Sequence, residues 1–216
     1  MSMAMTWSLV KKDFLLAKRF GLLMLALGIA IPLYMSTRTL AAGEMGVFVF
    51  MTLYTTLVLG QYVAGVEAKY PKAEALLFAS PYTRRCFVVA KYMYFLIVFG
   101  GCSLVYLAMG LIPAIQIAFV PGTVLATLVI ACFSYGIVLP IQLKLGVDKV
   151  RVLFMVFLLG VSFGTEKLAP LFGQMEFGVL RSIPGWAMGT GAVILALGML
   201  WVSMCVSIRV YERKEI

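Results

Sequence analysis

The sequence predicts an all-α polytopic membrane protein with six transmembrane helices, and three observations predict it. Hydrophobic residues make up 63% of the chain and charged residues only 12%, too little charge to cover a soluble domain of 216 residues. Apolar runs of about 20 residues recur, the length a helix needs to cross a ~30 Å hydrocarbon core. The alternating ~10-residue segments of a membrane β-barrel are missing from the pattern. Residues 1–216 are expected to form a single membrane domain.

Residues 1–20 come first. Trp7, Val10, Phe14 and Ala17 recur at helical spacing, opposite Lys11, Lys12, Lys18 and Arg19. This pattern predicts an amphipathic helix lying at the membrane interface. A cleavable leader fits less well, because the basic start is long and no small-x-small site precedes Pro32. Spans are then expected at about Phe20–Met35, Met45–Val66, Tyr92–Ile112, Thr123–Leu143, Val150–Gly164 and Trp186–Ile208. Pro140 lies near the end of the fourth and removes a backbone hydrogen bond there, making it a candidate hinge. The fifth span rises only ~20 Å at 1.5 Å per residue, short of a ~30 Å core. Pro170, Gly173, Gly178, Pro184 and Gly185 interrupt the segment that follows it. Short re-entrant or interfacial helices are therefore expected over 165–185.

Six spans place both termini on one side. Fifteen of the 18 Lys and Arg fall on that side, and Arg38, Lys167 and Arg181 on the other. An excess of basic residues marks the cytoplasmic face, so both termini are expected there. The same asymmetry accounts for the net charge of +9, and no nucleic-acid partner is needed to explain it.

Several chemistries are disfavoured. The chain has no His, which removes the commonest metal ligand and general base. Cys86, Cys102, Cys132 and Cys205 have no metal-ligand spacing and read as small apolar residues. No catalytic set and no phosphate-binding Gly-x-x-x-x-Gly-Lys-Ser/Thr loop occurs. The expected spans carry almost no ionisable residue away from their ends, which disfavours ion-coupled transport. The second span is the most polar: Thr52, Thr55, Thr56 and Gln61 are candidates for a pathway or dimer seam, or for hydrogen bonding within one subunit.

The longest polar interval between early spans is 67–91. It holds a short helix-like block from Lys72 to Ala79 between Pro71 and Pro81, with Lys69, Arg84, Arg85 and Lys91 at its edges. Glu67, Lys69, Leu76, Leu77, Pro81, Arg84, Arg85, Val89, Lys91 and Tyr92, with the opening run Leu9 to Leu15, resemble the ABC-2 type permeases. The likeness is to the small six-span branch that includes the phenol-soluble-modulin exporters. Many members read Ser-Leu-Pro where this chain has Ala79-Ser80-Pro81. The resemblance implies a bacterial plasma-membrane exporter subunit that forms its pathway as a homodimer or heterodimer. It implies a separate cytoplasmic ATPase holding ATP and Mg, so that this chain has no cofactor and is not itself an enzyme. It makes 67–91 the coupling loop, with Glu67, Lys69, Lys72, Leu76, Leu77, Phe78, Pro81, Arg84 and Arg85 as coupling residues. The implied cargo is an amphipathic or hydrophobic peptide. The alternatives are a permease for another small molecule, such as an antibiotic, and a non-transporting sensor or assembly component.

Overall fold

The computed structural model of the chain describes residues 3–36, 43–70, 83–111, 121–152 and 185–212. Long helices fill them: α1 (Met3–Ser36), α2 (Gly43–Ala68), α3 (Arg84–Gly110), α4 (Pro121–Leu145) and α5 (Gly185–Glu212). A further helical stretch starts at 147 and reaches the edge of the described residues at 152. Among the described residues, four segments are long and apolar enough to cross a membrane: Phe48–Ala68, Arg84–Gly110, Gly122–Leu145 and Gly189–Glu212. They coincide with the second, third, fourth and sixth expected spans. The fifth span and the 165–185 segment fall mainly outside the described residues. Leu22, Leu23, Ile194 and Trp201 face outward, as a multi-pass protein in lipid requires.

The N-terminal expectation needs correction. The interfacial helix of 1–20 is not a separate element, because α1 runs unbroken from Met3 through the first expected span to Ser36. Its buried face is Thr6, Leu9, Val10, Asp13, Ala17 and Met24, whereas Trp7 and Phe14 are exposed. Leu9 and Val10 pack with Cys86 and Ala90 of α3. Ala17 and Met24 pack with Leu59 and Val63 of α2 and Tyr94 of α3. Of the periodic apolar face, Val10 and Ala17 are thus covered by protein, while Trp7 and Phe14 stay outward.

The third span also starts earlier than expected. Thr83 is in extended geometry and its hydroxyl accepts from the Cys86 backbone N–H, capping α3. The cap satisfies an otherwise orphaned N–H and begins the helix at Arg84 instead of Tyr92. Arg84, Arg85 and Lys91, which the sequence places in a loop, therefore stand on α3.

Chain direction follows from pairs of contacts. Lys12 meets Glu67 and Phe20 stacks on Tyr62, so α1 and α2 are antiparallel. Gly136 faces Ser203 and Gly189 faces Leu125, so α4 and α5 run parallel. One end of the bundle then collects the first half of α1, the start of α3 and the last turns of α2, α4 and α5. We call this end the foot. α4 stays helical through Pro140 and turns at Gly146, whose φ of +86° suits a residue without a Cβ.

The main core joins α2, α3, α4 and α5 through Leu57, Phe95, Phe99, Ala131, Tyr135 and Leu200. A hydroxyl relay fixes three of these helices. Ser203 donates to the Gly136 carbonyl at 2.6 Å, and Tyr92 Oη lies 2.6 Å from Ser203 Oγ and 2.9 Å from Ser207 Oγ. Ser203 has a single proton, so Tyr92 must donate to it and accept from Ser207. Tyr92→Phe is expected to cost about 1–2 kcal/mol, the toll of leaving buried hydroxyls short of a partner. Thermal unfolding of the purified chain in detergent checks this, and an unchanged midpoint would remove the relay from the account of the fold.

Candidate functional site

The foot holds four charges that the sequence scatters over three segments. Lys91 Nζ lies 2.8 Å from Glu67 Oε2 and 3.0 Å from Asp13 Oδ2. Lys12 Nζ lies 2.5 Å from Glu67 Oε1 and 3.4 Å from Asp13 Oδ1. Two bases and two acids alternate around a ring whose formal charge is zero. The Lys91 and Asp13 side chains are only 9% and 2% exposed, and Glu67 and Lys12 are at the wetter side. Both ammonium groups also sit over the Phe87 ring, at 5.0 Å for Lys91 and 5.5 Å for Lys12. The cation–ring attraction adds to the ion pairs where water is excluded.

Local sequence explains each placement. Asp13 shares the buried face of α1 with Val10 and Ala17, three residues before it and four after. Glu67 stands in the last turn of α2. Lys91 lies about two turns inside α3, with Phe87, Val88 and Ala90 buried before it. Burial pushes the Asp13 carboxyl above the ordinary carboxylate range, while the neighbouring Lys91 opposes the rise. Taking four charges out of water is costly, and only their mutual pairing offsets it. The ring therefore behaves as a unit, and it ties the end of α2 to the start of α3 and both to α1. Tyr135 extends the tie to α4 by donating its hydroxyl to the Lys91 backbone carbonyl at 3.1 Å.

Arg84 and Arg85 make a second tie, to α5. Arg84 Nη1 donates to the carbonyls of Tyr211 and Glu212, each at 3.2 Å, and so caps the C-terminal end of that helix. Arg85 Nε donates to Glu212 Oε1 at 2.8 Å, and Phe87 stacks on Tyr211 with centroids 5.4 Å apart.

The sequence-based candidates separate into groups. Glu67, Arg84 and Arg85 are part of the foot, and Lys69 is exposed just beyond α2. Lys72, Leu76, Leu77, Phe78 and Pro81 lie outside the described residues. Thr52, Thr55, Thr56 and Gln61 are all buried within this one chain. Thr56 donates to the Thr52 carbonyl of its own helix at 2.7 Å, and Gln61 donates to Gln142 of α4 at 3.0 Å. Sequence reasoning missed Asp13 and Lys12 as partners of Glu67 and Lys91. The signal was there for Asp13: it is the only acid before Glu44, and it sits in register with buried Val10 and Ala17.

A family model described as ABC-2 family transporter protein matches residues 8–212. That range takes in all four charges of the ring and ends at Glu212, the residue Arg84 and Arg85 hold. No curated protein and no solved structure matches the chain.

Proposed function

We propose, from the premise that this chain belongs to the ABC-2 family of transporter proteins, that it is the membrane subunit of an exporter driven by a separate cytoplasmic ATPase through 67–91. The observation that carries the reading is the bridge between Glu67 and Lys91. These residues flank the interval 71–82, and their 2.8 Å contact joins the two helices on either side of it. A push on that interval reaches α2 and α3 together, and through Asp13 it reaches α1. A loop with independent roots would bend and dissipate the push.

In this proposal Leu76, Leu77 and Phe78 enter an apolar groove of the ATPase, and ATP and Mg stay on that partner. Two copies, or this chain and a related subunit, enclose the pathway. Amphipathic or hydrophobic peptides are the cargo, and a small-molecule cargo such as an antibiotic is the nearest alternative. The foot carries most of the described basic residues, which supports a cytoplasmic position for it and for both termini in a bacterial plasma membrane. The parallel run of α4 and α5 supports a further crossing between them, which would bring the spans to six.

The test uses the double substitution Leu76→Asp and Leu77→Asp. Pull-down from native membranes is expected to recover an ATPase with the unaltered chain. With the doubly altered chain, recovery and export are both expected to fall by tenfold or more, on the order of one lost apolar anchor pair. Equal recovery and export would overturn the coupling assignment. If no ATPase accompanies even the unaltered chain, the sensor or assembly reading takes its place.

A further inference from the structure

Between the foot and the middle of the bundle lies a cavity of about 350 Å³. Phe87, Tyr94 and Tyr135 give it an aromatic wall, and the charged ring closes one side through Lys12, Glu67 and Lys91. On the α2–α4 side it is lined by Gln61 and Gln142. Gln61 donates its amide nitrogen to Gln142, and its Oε1 is buried with no hydrogen-bond partner among the described residues. Gln61 is only 6% exposed, so bulk water does not serve it. A buried acceptor left open is a standing cost, which a donor entering beside Gln61 would relieve.

From this we infer that the cavity is a binding site for a small neutral amphiphile, an apolar body bearing one amide N–H or hydroxyl that bonds Gln61. Size sets the class: pockets of 300 Å³ and upward hold small ligands. Water alone suits it poorly, since filling it would take about twelve molecules at ~30 Å³ each against largely apolar walls. Charge sets the rest. The four ionic groups of the ring that closes the cavity neutralise one another, so a charged ligand would be desolvated without a counter-charge. Neither the family assignment, which rests on residues 8–212 as a whole, nor the coupling proposal, which concerns the ends of α2 and α3, requires this site.

Photolabelling of the full chain in lipid nanodiscs tests it, with two probes: a diazirine-tagged 3-phenylpropanamide and the corresponding methyl ester, which lacks the donor. Amide adducts are expected to concentrate on the peptides spanning 57–67 and 138–147 and to exceed ester adducts there about tenfold, the worth of one well-made buried hydrogen bond. Gln61→Leu should bring the amide down to the ester level. Ala64→Phe, which fills the cavity from a half-buried position, should remove both. A lipid that already occupies the site is seen as added mass in native mass spectrometry and is displaced by the amide. A chain that carries no added mass takes its ligand from molecules in solution or in transit. Equal labelling by the two probes, or adducts spread over the outward face of α5 around Trp201 in every variant, would overturn the site and leave a hydrated vestibule. Circular dichroism on each variant separates these outcomes from misfolding, and a misfolded Ala64→Phe leaves the Gln61→Leu comparison decisive.

Discussion

Replacing Lys91 by Met is expected to destabilise the chain by about 3–5 kcal/mol. The substitution keeps the volume and removes the ammonium that faces both Glu67 and Asp13. Two carboxylates then share a poorly hydrated site with only Lys12 between them, and unpaired buried charge costs several kcal/mol. Midpoints of thermal unfolding in detergent measure the loss. The deficit should shrink as pH falls. Asp13 already sits above the ordinary carboxylate range because of burial, so it is the carboxyl that takes up a proton first. Its protonated form is favoured in the folded state, and lowering the pH towards that range favours folding of the variant. Replacing all four members together, with Lys12→Met, Asp13→Leu and Glu67→Leu added to Lys91→Met, should restore most of the stability, since exchanging a whole buried ion cluster for apolar residues of similar volume is often close to neutral. If the single variant unfolds at the same midpoint as the unaltered chain, the ring contributes nothing to stability and cannot serve as the rigid joint between α2 and α3.

The second large effect is expected at Gly136→Leu. A Cβ at this position would lie 3.3 Å from Ser203 Cβ and 3.4 Å from Ser203 Oγ. A leucine must drive α4 and α5 apart, and the separation breaks the Ser203 bond to the Gly136 carbonyl along with the Tyr92 relay. Overpacking of about 1–3 kcal/mol and one lost buried hydrogen bond give about 2–4 kcal/mol in total. Gly136→Ala is the control. Its single methyl asks Ser203 to yield a few tenths of an ångström, and the better helix propensity of Ala offsets part of that cost. Unfolding midpoints that rank Ala near the unaltered chain and Leu well below it confirm that the α4 backbone at Gly136 packs directly against the Ser203 side chain of α5. Equal midpoints for Ala and Leu would place the contact elsewhere.

Long apolar runs made four spans readable in the sequence, because length and composition decide whether a helix can cross lipid. The foot was readable only in part. Glu67 and Lys91 stood out as polar residues near the ends of apolar runs, yet they fell within one loop because no single local signal showed that Thr83 caps a helix. Asp13 counted as one charge among the basic residues around it. The spacing from Val10 to Asp13 to Ala17 places it on a buried face, but spacing does not tell which helix covers that face. Arg84 and Arg85 read as coupling-loop residues, and their tie to α5 was hidden for the same reason: the carbonyls Arg84 caps and the Glu212 carboxylate Arg85 meets belong to residues more than 120 positions later, and only the packing of α5 on α3 brings them together.

The unbroken course of α1 has a mechanical consequence. Its 34 residues make a rod about 51 Å long at 1.5 Å per residue. Such a rod has no separate element at residue 20 on which its first half could swivel against its second. Lys12 and Asp13 clamp it near one end, so any tilt imposed at the foot reaches the far end at the same angle. With a pivot near mid-length, the two tips would move by equal amounts in opposite senses, as on a see-saw. α1 would then pass a displacement at the foot to the opposite face of the membrane without a relay of rearranging side chains.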